Sequence, residues 1–285
     1  MKPVYQHELL NSFYLWFDNF LLEKGEAYKN YTTDFYYYAD ERIQDKVVFG
    51  SPYKQWVYDK GITSAVINPT ISGDGGTAIS AGDSGCMFDY DNGRLLFDSD
   101  FATGTNISGT YTVKNFNIYI ANQNEESLIT AGKYKNNSRY TRTLTYVDPY
   151  DQATPAAFLS LGTTHNVPLA LGGEDNTVTD ITAVVFAENM YQLDGILSVF
   201  ADSTKESFGS IAFTGSPLDE FGAVKSAYGT GYDYNNAASS ASSDQYFIQD
   251  TTVSKVSDSA DKTLPVDLFV GFVDFEINKY RFPRS

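Results

Sequence analysis

Cys86-Met-Phe-Asp-Tyr-Asp-Asn-Gly-Arg-Leu-Leu-Phe97 is the stretch whose reading decides the fold. Apolar and aromatic residues flank Asp91-Asn92-Gly93, and Asn-Gly between two such runs is the strongest short-range signal for a β-hairpin. The cause is steric. A tight turn needs positive φ, which glycine and asparagine adopt at little cost and β-branched residues do not. Residues 108–113 and 116–120 follow as further strand-like runs, so the middle of the chain reads as a β-meander.

Outward from the hairpin, residues 7–24 read as an amphipathic helix. Leu9, Leu10, Phe13, Trp16, Phe17, Phe20 and Leu21 recur at spacings of three and four, with Glu8, Asn11, Asp18 and Glu23 opposite them. Lys24-Gly25 is a helix stop. This aromatic stripe either docks on the protein's own sheet or inserts between neighbouring subunits, which makes Trp16, Phe17 and Phe20 interface candidates. Tyr36, Tyr37 and Tyr38 join them, because a run of tyrosines suits a surface awaiting a partner. Residues 35–38 are a strand or a loop packed on the helix, and 47–49 and 65–67 are strands.

Later in the chain, residues 122–139 read as a loop or short helix and 141–147 as a strand. Residues 178–186 are rich in β-branched side chains and read as a buried strand feeding a helix at 188–201, with Met190, Leu193, Ile196, Leu197 and Phe200 on one face. Residues 229–244 are low in complexity and read as an exposed loop. Residues 246–256 and 264–277 are strands, and the tail from 278 is locally basic. Tyr280, Arg281 and Arg284 are therefore candidates for a docking arm, the alternative being a plain surface tail. The fold class expected is α+β and β-rich, with an antiparallel, sandwich-like core, an N-terminal amphipathic helix and a second helix near 188–201. Residues 1–60 form the helix and its connection, 61–150 the meander, and 156–285 a β-rich unit that stands alone or continues the meander's domain.

The 285-residue chain is 42% hydrophobic and 15% aromatic, ample for a core. Its net charge of −16 argues against binding a nucleic-acid backbone or an anionic membrane. No run approaches the ~18 apolar residues of a membrane-spanning helix. The N-terminal segment lacks the apolar stretch and cleavage site of a signal peptide, so residence in a cytoplasm-like compartment is expected. A single cysteine, Cys86, rules out an intramolecular disulfide and a cysteine-rich zinc site.

Chemistry-bearing motifs are sparse. Gly82-Asp83-Ser84-Gly85 matches the nucleophile segment of chymotrypsin-like proteases, which need a histidine and then an aspartate before the serine. Only His7 and His165 exist, one in the expected N-terminal helix and the other after Ser84. No cysteine-protease signature surrounds Cys86, and no phosphate loop or dinucleotide fingerprint is present. Asp89, Asp91, Asp98 and Asp100 bracket the hairpin without completing a calcium loop, and read as solvated hairpin ends. No catalytic, cofactor-binding or metal-ligating residue is assigned, and the chain reads as non-enzymatic.

Four stretches resemble virion structural proteins from the head-to-tail neck or the tail of tailed bacteriophages: Phe88-Asp-Tyr-Asp-Asn-Gly-Arg-Leu-Leu-Phe97, Gly109-Thr-Tyr-Thr-Val113, Leu169-Ala-Leu-Gly-Gly173 and Gln192-Leu-Asp-Gly-Ile-Leu-Ser-Val-Phe-Ala-Asp202. Together with the aromatic N-terminal helix, their order spans about half of the chain. The resemblance implies a neck (connector or collar) or tail component made in the host cytoplasm and incorporated into the virion. Its partners would be further copies of itself, as a ring-type homo-oligomer, and other neck or tail proteins. The rival reading is a carbohydrate-binding or host-receptor-binding appendage, because aromatics beside Asp and Asn in β structure suit sugars.

Overall fold

A computed structural model describes residues 4–43, 45–121, 128–129, 134–136, 152–169, 173–229, 231–241, 243–256 and 268–282. Strands β1 (Tyr28–Tyr38), β2 (Lys46–Gly50), β3 (Thr70–Ser72), β4 (Ala78–Ile79), β5 (Met87–Asp89), β6 (Arg94–Asp98) and β7 (Ile107–Lys114) make an antiparallel sheet in the order β4-β3-β7-β1-β2-β6-β5. A second sheet takes the order β13-β14-β15-β12-β11-β8. It is built from β8 (Asn117–Ile120), β11 (Ala156–Pro168), β12 (Asp175–Ala187), β13 (Ser207–Gly209), β14 (Gln245–Lys255) and β15 (Phe269–Arg281). Only its β8–β11 pair is parallel. β9 (Tyr134–Asn136) and β10 (Gln152–Thr154) form a short parallel pair, and the α-helices α1 (Val4–Lys24), α2 (Met190–Ala201) and α3 (Tyr234–Ser240) join four single-turn 3-10 helices among the described elements. The fold is α+β and β-rich, as its alternating runs predict.

The N-terminal helix is present but is not amphipathic in the expected sense. Phe13 and Phe17 pack on Phe275 of the second sheet, and Phe17 stacks on Phe200 of α2 at 4.1 Å between ring centroids. Leu22, on another side of α1, packs with Val57 and Ile62 of the segment between β2 and β3. Of the four residues expected to face water, Asn11 and Asp18 are buried too, while Glu8 is half-buried and Glu23 exposed. Asn11 donates to the Ile211 carbonyl at 3.0 Å, and Asp18 meets Lys114 at the end of β7 at 2.7 Å. α1 is thus enclosed between the two sheets, and one buried cluster runs through Phe17, Leu95 and Phe275, joining all three sequence segments.

The hairpin forms, with Asp89 opposite Arg94 and Met87 opposite Leu96, so four residues, 90–93, make its loop. Gly93 alone takes positive φ (66°) there, and a Cβ at that position would lie 1.9 Å from the Tyr53 carbonyl oxygen, which excludes any larger residue. The meander does not form. β7 leaves the hairpin to pair with β1 and β3, and β8 crosses to the second sheet. Gln55 makes the crossing possible. Its side chain donates to the Ile118 carbonyl at 2.9 Å and accepts from the Ile118 N–H at 2.7 Å, standing in for a strand partner.

Other expectations are corrected. Residues 65–67 form no strand, and residues 234–240 of the expected loop are helix α3, capped by Asp233 and anchored by buried Tyr232 and Tyr234. Such aromatic anchors supply the apolar area that the surrounding serines and alanines lack. Asp89 is no solvated hairpin end. It is fully buried, paired with Arg94, and accepts from the Asn92 N–H at 3.0 Å, while Arg94 also reaches Asp40 at 2.9 Å. Asp98 is exposed and pairs with Lys46 at 2.9 Å. On α2 four of the five named residues are buried and Met190 is exposed. The expected strand at 141–147 lies outside the described residues, and of 122–139 only 128–129 and the β9 backbone fall within them.

Candidate functional site

Strand alternation sorts the second sheet into two faces. On β15, Val273, Phe275 and Ile277 point to the face covered by α1 and α2. Their neighbours turn outward, and there the pattern changes along the strand. Val270 and Phe272 join a second apolar cluster with Phe158, Val184 and Phe186. Asp274 and Glu276 follow as an exposed acidic band, with Asp250 beside Glu276 on β14 and Asp180 beside it on β12. Beyond the band the outer face carries exposed apolar side chains again.

That last stretch is a stripe set by register. Tyr280 pairs with Asn176, and Asn176 with Val167, so all three lie in one row on one face. Phe247, opposite Asn278, shares the face, and its ring sits 6.1 Å from that of Tyr280. Phe282 and Leu169 stand two residues further along the chain from Tyr280 and Val167. Exposure runs from 40% at Phe247 to 54% at Leu169. Five large exposed apolar residues gathered on one end of a sheet make the kind of patch that marks an interaction surface.

The sequence-derived candidates fall in different places. Trp16, Phe17 and Phe20 are buried inside this chain, against Phe200 and Phe208, so they are core residues and offer nothing to a neighbour. The aromatic density that suggested an interface belongs to a helix enclosed on both sides. Tyr36 is half-buried and Tyr37 exposed at the end of β1 in the first sheet, with Tyr37 edge-on to Phe49. Tyr38 accepts from Arg94 at 3.2 Å, and burial pushes its phenol up to about 12. Tyr280 stands in the exposed stripe. Arg281 points the opposite way, its guanidinium 3.9 Å above the Tyr5 ring and its Nε donating to Thr177 at 2.8 Å. Residues 278–281 are therefore strand and not a free arm, and Arg284 lies outside the described residues. Phe247, Val167 and Leu169 are not among the interface candidates read from the sequence, because only the strand register brings them to the same end of the sheet as Tyr280.

The weighed chemistry is also placed. Ser84 sits at positive φ in a short turn, where Asp83 accepts from the Ser80 N–H at 2.7 Å, while His165 is on β11 and His7 on α1. Cys86 is buried just before β5, and burial with nearby Asp83 raises its thiol to about 12, which holds it protonated. Among the described residues no group of three or more His, Cys, Asp or Glu could hold a metal ion.

A cleft of about 540 Å³ lies between Tyr14, Tyr58 and the loop around Asp219. Several of its polar groups are already engaged within the chain. Asn92 donates to Asp89, Asp91 accepts from Gln55, and Asp219 accepts from the Phe221 and Ala223 N–H groups. Among the described residues no helix is long and apolar enough to cross a membrane. No protein-family model matches this chain, and no curated protein matches its sequence.

Proposed function

We propose that the chain is a non-enzymatic structural subunit of a tailed-bacteriophage particle, made in the host cytoplasm and built into the neck or tail as a member of a symmetric oligomer. The observation that carries the assembly part is the exposed stripe of Phe247, Tyr280, Phe282, Val167 and Leu169 at one end of the second sheet. Aromatic residues standing in such a patch act as anchors when a partner desolvates them. The particle and its neck or tail position rest on the resemblance of the four sequence stretches given above.

The engaged polar groups of the Tyr14–Asp219 cleft favour this reading over a sugar-binding appendage, since a glycan site needs free donors and acceptors beside its aromatic rings. Light scattering and electron microscopy of the purified protein test it. The expected result is a defined multi-subunit particle whose mass falls on substituting Phe247→Ser with Tyr280→Ser. A monomer at high concentration that captures no neck or tail protein, yet binds glycans, overturns the proposal.

A further inference from the structure

Both edges of the second sheet are only half used. On one side β8 pairs with β11 only as far as Leu159, and among the described residues no strand pairs with residues 162–168 on that edge. On the other side β13 pairs with β14 only at residues 245–247, and among the described residues no strand pairs with residues 250–255 on that edge. A bulge stands at the start of each opening, between Leu161 and Thr164 on β11 and between Ile248 and Asp250 on β14. Bulges of this kind end one pairing and re-aim the strand.

The two openings complement each other. Successive antiparallel pairings from β14 through β15 and β12 make β11 antiparallel to β14. A second copy placed beside the first, in the same orientation, therefore offers its β14 antiparallel to the first copy's β11. The β11 opening lies level with residues 276–281 of β15, and the β14 opening level with residues 271–276. Matching them needs a stagger of about five residues, roughly 17 Å along the strands. In that position β14 of the second copy occupies the slot where β8 stops.

The chemistry of the edges agrees. Gly-Thr-Thr-His-Asn-Val-Pro at 162–168 has no carboxylate, and Asp-Thr-Thr-Val-Ser-Lys at 250–255 is neutral in sum, on a chain of net charge −16. Threonine and valine, which favour strands, fill the middle of the second and stand on either side of His165-Asn166 in the first, and neither holds proline or lysine before its last residue. Exposed apolar side chains flank each opening: Val167 and Leu169 at the first, Val253 and Met190 at the second.

We propose that the second sheet continues from copy to copy, residues 162–168 of β11 in one subunit pairing antiparallel with residues 250–255 of β14 in the next. This rests on the self-assembly reading above and supplies its mode. Two different surfaces meet, so the contact is heterologous, and its repetition gives a ring when the rotation closes and a filament when it does not.

Proline tests it, because neighbouring residues of a strand point their N–H groups to opposite sides. Of His165→Pro and Asn166→Pro, and of Thr252→Pro and Val253→Pro, the member of each pair that keeps the wild-type circular dichroism and melting has lost only the outward donor. Thr164→Lys and Thr252→Lys, which retain every backbone donor and add charge to the edge, serve where proline prevents folding. Each edge variant is expected to be monomeric alone, while an equal mixture of a β11 variant and a β14 variant gives a heterodimer and nothing larger. Edge variants that all keep the wild-type mass overturn this strand pairing while leaving self-assembly standing. A β14 variant that still dimerises alone also overturns it, since β11 edges would then pair with each other. A monomeric wild type removes both.

Discussion

Lys114→Met removes the cation from the contact that ties α1 to the first sheet, and its cost can be worked from the geometry. Lys114 Nζ lies 2.7 Å from Asp18 Oδ2, both side chains are buried, and the Tyr58 ring lies 4.9 Å from the same ammonium. At an effective dielectric of ~20 the pair attracts by about 6 kcal/mol, comparable to the several kcal/mol that each ion loses on leaving water. The intact pair therefore contributes little net stability, but a single survivor is costly. Asp18 Oδ1 already accepts no hydrogen bond, so without Lys114 the carboxylate keeps no counter-charge. Lys114→Met should destabilise by about 3–5 kcal/mol, and Asp18→Leu with Lys114→Met should return to within about 2 kcal/mol of wild type. Urea unfolding followed by the fluorescence of Trp16 and Trp56, both buried, reads this directly. A Lys114→Met loss below about 1 kcal/mol, or a double variant as unstable as the sum of its singles, refutes the argument.

Two further outcomes concern ionisable groups. Cys86, buried and with its thiol raised to about 12, should not react with a disulfide reagent in the native protein and should react fully in denaturant; native-state labelling within minutes refutes its burial. Asp59 is raised above its ordinary value of 3.8, burial outweighing its hydrogen bonds from Gly61, Asn19 and Tyr234. A folded pKa above the unfolded one means that the folded state binds the proton first. Its contribution is thus complete below the unfolded value and lost as pH rises through the folded one. As pH falls from neutral towards 3.8 the wild type should gain stability relative to Asp59→Asn, and a flat difference in urea melts refutes this.

The elements written in local patterns were legible. The period of apolar residues gives α1 and α2, and Asp91-Asn92-Gly93 gives the hairpin. What the chain does at long range was not. Asn11 and Asp18 look like a solvent face until Ile211 and Lys114, far along the chain, are seen to meet them. A meander is the natural reading of consecutive strands, because neighbours in sequence usually pair. Here β1 and β3 hold β7, and a glutamine side chain substitutes for a strand at β8. Charge misled at Asp89, whose partner Arg94 becomes adjacent only once the hairpin closes. Tyr280 was legible as an aromatic in the tail, but the stripe around it was not, and the open edges depend on where β8 and β13 stop, which no local pattern records.

An unpaired strand edge invites indiscriminate association, and proteins usually blunt it with lysine, proline, a bulge or a cover. In this chain those devices sit at the ends of the openings and not within them. A bulge begins each one, and Pro168 or Lys255 finishes it. The free lengths are therefore bounded at seven and six residues, and a partner strand that runs on past them meets a missing donor or a charge. The remaining surface carries the excess negative charge, including the exposed Asp274 and Glu276 of the outer face, so random encounters between copies are repelled. In the proposed assembly only the staggered approach brings two neutral edges together, and the acidity that opposes every other contact selects that one.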